Sequence, residues 1–417
     1  MKNFSNAIIL SGILTLLNLL NHLIPLNNSL INFTSIKINK KHSLISDENI
    51  SSIIEYHKSN IVFARRPLTT FLIENLSSFL SFSESLSFIV INFFLLFLSG
   101  IALYYLANYL LQNKTYSLLS VTIYHLSFSN FFAFFDTIYC YDEPLQYLFL
   151  FLSILFILYE RWIIFLITFS ISIISRESSL LFVPTFLLLN FYKKKEINDN
   201  RYFDYKIIFF AIPVIFYFCY LYIYLFFSNN FIENRIDFSN RLDHFKFNFQ
   251  NQNFAIEGFF TFFLTNGLQL YVLVFYRLRY KFDKQESKFI KSFISLFILN
   301  SIIVIFSTKI REARLLTLPL ILLWPFLGKF VWIEISSLFK TNKIKSLILN
   351  KWFLFLFLFA IFLEYLIYKY VYIPSVNAKG GNFQDEYLYI ILVFITFHFL
   401  GNFFLFLKNS SYKIYNS

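Results

Sequence analysis

Charge is scarce in this chain. Only 14% of its 417 residues are Asp, Glu, Lys or Arg, against about 25% in a soluble domain. Mean hydropathy is +0.60, and 57% of residues are hydrophobic. So much apolar surface does not fit inside one soluble core, so a bilayer must be the solvent for most of it. Cysteine is nearly absent: Cys140 and Cys219 alone exclude a disulfide framework and a thiolate metal cluster. The 6 histidines show no HExxH-like spacing, which argues against His-centred metal catalysis. Glycine and proline number 8 each, while Phe reaches 61. With abundant Ile, Asn and Lys this is the composition of AT-rich coding, and a Phe stripe reads first as a lipid-facing surface. No internal repeat stands out, which disfavours an inverted-repeat transporter.

What is present is a series of apolar runs. They fall near 7–26, 86–111, 116–135, 144–159, 162–175, 178–192, 207–227, 258–276, 289–307, 315–333, 352–371 and 387–407. Most are long enough for about 30 Å of hydrocarbon at 1.5 Å per residue. The expected fold is all-α: a polytopic membrane bundle of about 12 transmembrane helices in a single integral domain, 1–417. A core bundle is expected over 86–333, with C-terminal helices of unassigned role over 334–417. The first run follows Lys2 and ends in IPLNNS, not a small-residue cleavage site, so it reads as an uncleaved helix. Runs 162–175 and 178–192 are short and predict a tight hairpin or a broken helix.

Placing the N-terminus in the cytoplasm sorts both charge signs. Lys114, Lys193–Lys195 and the 277–291 and 340–351 segments fall inside, and most acids fall outside. The net charge of +12 is then the positive-inside rule, not a nucleic-acid surface.

The charged clusters share the outer face. The first outer loop, 27–82, holds Asp47, Glu48 and Glu55, and Ile50–Tyr56 predicts a short amphipathic helix on the membrane surface. A carboxylate here is a candidate general base; it serves equally as a helix-start cap. Arg65 and Arg66 precede Pro67, where a helix can begin. Two guanidiniums there suit a lipid phosphate or snorkel at the interface. Asp142 and Glu143 open the fourth run before Pro144, as substrate-binding acids or as ordinary helix-start chemistry. Arg176 and Glu177 separate two short runs, as a local ion pair or a substrate-facing pair. Glu312 and Arg314 precede a run that Pro319 and Pro325 are placed to kink. Together these clusters describe a polar cavity at one end of a helical bundle.

Their order resembles the GT-C superfamily of polytopic membrane glycosyltransferases, of the protein O-mannosyltransferase and lipid A aminoarabinose transferase type. The resemblance covers residues 40 to 330: Asp47-Glu48, Arg65-Arg66-Pro67-Leu68, Asp142-Glu143, SRESSLLFVP around Arg176, and Glu312-x-Arg314 before Pro319. The first loop lacks the aromatic that often closely follows the family's acid, and residues 334–417 are expected to form helices where many members have a large C-terminal soluble domain. The resemblance implies an inverting transfer from a polyprenyl-phosphate-linked sugar at the outer face of a bacterial plasma membrane. Asp47 or Glu48 would be the base, with Arg65, Arg66, Arg176 and Arg314 facing the phosphate. Some members use a divalent cation and others none. The rival from another class is a multi-pass transporter or lipid-linked sugar flippase, which wants charges in mid-helix. An envelope polysaccharide polymerase or ligase would use a large late outer loop, for which only 228–257, with Arg235, Arg241 and His244, is a candidate.

Overall fold

The computed structural model describes residues 2–23, 47–133, 141–197, 207–228, 241, 243–338, 341–376 and 383–415. Every regular element among them is helical, the form in which a chain satisfies its own backbone in hydrocarbon. The principal helices are α1 (Lys2–Leu23), α2 (Asp47–Ser59), α3 (Pro67–Leu80), α4 (Glu84–Leu111), α5 (Lys114–His125), α6 (Glu143–Leu158) and α7 (Trp162–Ser175). They continue with α8 (Phe182–Ile197), α9 (Ile207–Ser228), α10 (Gln252–Arg279), α11 (Lys284–Ser307), α12 (Trp324–Leu338), α13 (Lys351–Ser375) and α14 (Phe383–Tyr415).

Seven of these are long and apolar enough to cross a membrane: α1, α4, α9, α10, α11, α13 and α14. α6, α7 and the Glu177–Leu189 stretch are apolar but shorter. The 14 residues of α7 rise only about 21 Å. The chain is therefore an all-α protein with the helices of a multi-pass membrane protein, and length alone supports fewer spans than the 12 apolar runs suggest. Two runs are broken. The 116–135 run stops as α5 at His125 and resumes as a π turn, Ser129–Ala133. The run carrying Pro319 divides into Ala313–Leu316, a 3-10 turn Leu318–Leu322, and α12.

Local chemistry sets the ends. Ser83 caps α4, Asn113 caps α5, and Asp283 with Glu286 forms a capping box on α11. Glycine is so rare that the left-handed position after a helix falls to Ser81 (φ 54°), Gln112 (φ 49°) and Glu160 (φ 59°).

α4 is the hub and touches α1, α2, α3, α5, α6 and α12. α5 and α12 approach closely because position 328 is glycine: an added Cβ would stand 2.6 Å from the Ser120 backbone nitrogen. Ser120 Oγ also accepts from the Gly328 N–H at 3.1 Å and donates to the Pro325 carbonyl at 3.0 Å. Polar side chains tie α1 into the bundle: Ser11 Oγ donates to the Phe97 carbonyl and Asn21 Nδ2 to the Phe131 carbonyl. α7 and α8 touch through Phe165 and Phe169 against Phe186, with the 3-10 turn Glu177–Leu181 between them, while α7 packs mainly on α6 and α9. α13 packs against α14 and presents Trp352, Phe355, Leu358 and Phe362 outward, the surface expected of a lipid-facing helix.

Candidate functional site

The site begins at the α2–α3 junction. Ile50, Ile53, Ile54 and His57 form the buried face of α2, while Glu55 is exposed on the other side. The helix starts at Asp47, three residues before the Ile50 expected from amphipathicity; the side chains of Asp47 and Glu48 lie outside the described residues. A four-residue turn, Ile61–Ala64, is capped by Asn60 and ends at Arg65; Arg66 then precedes Pro67 at the first position of α3. The hydroxyl of Tyr220 on α9 donates to the Arg65 carbonyl at 3.1 Å.

Both arginines are buried and converge on one carboxylate. Arg66 donates to Glu177 through Nε (2.7 Å) and Nη2 (2.5 Å), and Arg65 through Nη2 at 2.9 Å. Their side chains are packed inside the bundle. Glu177 does not form a local pair with Arg176. The backbone at Arg176 is extended (φ −162°, ψ 124°), which sends the two neighbouring side chains apart. Arg176 pairs with Glu143 at the start of α6, and Arg314 Nε stands 3.8 Å from the same Glu143 oxygen. Arg314 also donates to Glu312 at 2.6 Å. Gln146, one turn into α6, donates to Ser178 and Ser179 at 2.9 Å each and pins the 3-10 turn that carries Glu177.

Asp142 is fully buried among these groups and makes no cap to its own helix. Burial, the largest influence, raises its pKa to about 7; Arg66 pulls it down, the neighbouring Glu143 pushes it up, and Arg176 pulls it down. All eight candidate binding residues thus belong to one neighbourhood: Arg65, Arg66, Asp142, Glu143, Arg176, Glu177, Glu312 and Arg314. Four guanidiniums face four carboxyls.

A cavity of about 380 Å³ adjoins this network, with His57, Lys58, Arg66, Thr70, Glu74 and Tyr224 in its wall. His57 is stacked between Phe63 and Tyr141, with ring centroids 4.4 and 4.0 Å away. The Tyr141 hydroxyl shares a hydrogen bond with Thr70 Oγ1 at 2.8 Å. The roles of Gln146, Thr70 and Tyr220 carry no sequence signal of their own. Tyr141 has one: it adjoins the Asp142-Glu143 pair.

The arrangement suits binding and moving anionic groups. Arginine forks in a dry site hold phosphate or carboxylate strongly, and a carboxyl with a pKa of about 7 can give or take a proton near neutrality. No group of three metal-ligating side chains gathers among the described residues. A second polar cluster lies elsewhere. Arg279 donates to Glu334 at 3.0 Å, His398 Nε2 is 3.5 Å from the same oxygen, and Tyr271 bonds His398 Nδ1 at 2.7 Å. It borders an apolar cavity of about 120 Å³. Comparison with known proteins adds nothing to this geometry: no family model, no curated protein and no solved structure matches the chain.

Proposed function

We propose that the chain is a membrane glycosyltransferase of the GT-C type. It moves a sugar from a polyprenyl-phosphate-linked donor to an envelope glycan, lipid or protein acceptor at the outer face of a bacterial plasma membrane. The 12 apolar runs then all span, the shorter helices by thinning the bilayer locally. One observation carries this function. Charged pairs from four separated parts of the chain, 65–66, 142–143, 176–177 and 312–314, meet in one buried network beside a cavity. Charge placed inside a membrane bundle is expensive unless it is used.

In the transfer, the acceptor heteroatom bonds the anomeric carbon and gives its proton to a carboxylate. The anomeric carbon–oxygen bond to phosphate breaks, and the phosphate leaves with the electron pair. Arg66, Arg176 and Arg314 stabilise the growing negative charge. Asp47 or Glu48 is the base, and Asp142, with its pKa of about 7, is the third carboxyl to test beside them.

The experiment uses purified full-length protein with a lipid extract from its host, and mass spectrometry reads release of polyprenyl phosphate. Asp47→Asn or Glu48→Gln should abolish release at unchanged folding. Full release from both variants, and from Asp142→Asn, would refute the enzyme. The Arg279–Glu334–His398 cluster is the place to test a second function, transport, although Arg279 ends α10 and Glu334 lies near the end of α12. Uptake of a lipid-linked sugar into proteoliposomes, lost in Glu334→Gln, would establish that instead.

A further inference from the structure

We infer that Arg65 and Arg66 form an anion subsite in which Glu177 stands in for a phosphate group, and that the substrate's phosphate enters by displacing this carboxylate. The glycosyltransferase reading supplies only the source of the phosphate; the exchange itself stands on geometry.

Two consecutive arginines are directed at a single carboxylate, and Arg66 grips both of its oxygens, at 2.7 and 2.5 Å. The same planar fork matches a carboxylate and a phosphate. Side-chain exposure is 9% and 8% for Arg65 and Arg66 and 22% for Glu177, so the carboxylate is the most accessible of the three.

The arginines are held independently of Glu177. Asn60 caps their turn, Tyr220 holds the Arg65 carbonyl, Pro67 follows Arg66, and the Arg66 guanidinium lies 5.6 Å over the Phe63 ring. The 3-10 turn is likewise anchored through Ser178 and Ser179 on Gln146, so Glu177 can be released without dismantling either side. The cavity of about 380 Å³ runs beside Arg66, with Lys58 and His57 in its wall. That is the volume of roughly a dozen waters, ample for a phosphate. Arg66 would keep its donors occupied throughout, passing them from one anion to the other.

Calorimetry on full-length protein in detergent tests this with two probes, dodecyl phosphate and inorganic phosphate. Glu177→Gln removes the competing charge and should tighten dodecyl phosphate binding about tenfold or more; Glu177→Asp, too short to span both arginines, should tighten it less. Arg66→Lys, with Glu177 kept, should weaken it at least tenfold. Tightening with dodecyl phosphate alone assigns a lipid phosphate, and tightening with both probes assigns phosphate from either source. Unchanged or weaker binding in both Glu177 variants would overturn the exchange, as would Arg66→Lys binding like wild type. No turnover is measured, so tightened binding in a protein that transfers no sugar would sink the enzyme and leave the subsite standing.

Discussion

Removing Arg176 should expose how much the buried network depends on pairing. Arg176 is 6% exposed and its partner Glu143 1%, so little solvent screens the pair. Breaking a buried pair by deleting one partner costs about 3–5 kcal/mol, because the remaining charge stays buried. Arg314, 3.8 Å from the same oxygen, compensates in part and sets the expectation for Arg176→Met at the lower end, about 3 kcal/mol. A shift of about 2–4 °C per kcal/mol for chains of 150–250 residues shrinks to roughly 1–2 °C for a longer chain, giving a fall in Tm of roughly 3–6 °C. The assay is thermal unfolding in one detergent at one scan rate, since unfolding of such a protein is irreversible. Glu143→Gln in the Arg176→Met background removes the stranded charge and should recover at least half of the loss. A single-variant fall below about 1 °C, or a double variant no better than the single, would refute the picture of a dry, mutually dependent pair.

Asp142 should make stability depend on pH. Its folded pKa of about 7 against an ordinary 3.8 means the folded protein keeps a proton that the unfolded chain has released. Its contribution is complete below about pH 4 and is lost as pH rises through about 7. Asp142→Asn should flatten the decline of Tm between about pH 5 and pH 8, by an amount of roughly 3 kcal/mol at most; a decline of undiminished slope counts against the assignment. Gln112→Gly, at a left-handed φ of 49°, should raise stability by about 1 kcal/mol, read by the same thermal assay; a lower Tm would show the side chain to be worth more than the relieved backbone.

Much of the architecture was legible because membrane helices are written in composition and local chemistry. Apolar runs mark the helices, Pro67 and Pro144 mark two starts, and the amphipathic Ile50–Tyr56 stretch marks α2, whose Ile50, Ile53 and Ile54 are buried. The break after His125 was less legible, whereas Pro319 signalled the one around Thr317. In a chain this apolar, hydropathy continues across a backbone break. The charged clusters were also visible one by one, since each interrupts an otherwise apolar stretch.

Pairing was not legible. Adjacent Arg176 and Glu177 read as a local ion pair, yet one extended residue turns them to Glu143 and to Arg65 and Arg66. The sequence by itself determined the all-helical, membrane-dissolved chain and the residues too polar for that setting, because hydrocarbon imposes those rules on every segment separately. Only the tertiary structure decided which arginine holds which carboxylate, that Asp142 is buried among them, and that a cavity lies at Arg66. Those outcomes depend on side chains tens to more than a hundred residues apart arriving at the same place, and no local pattern encodes that distance.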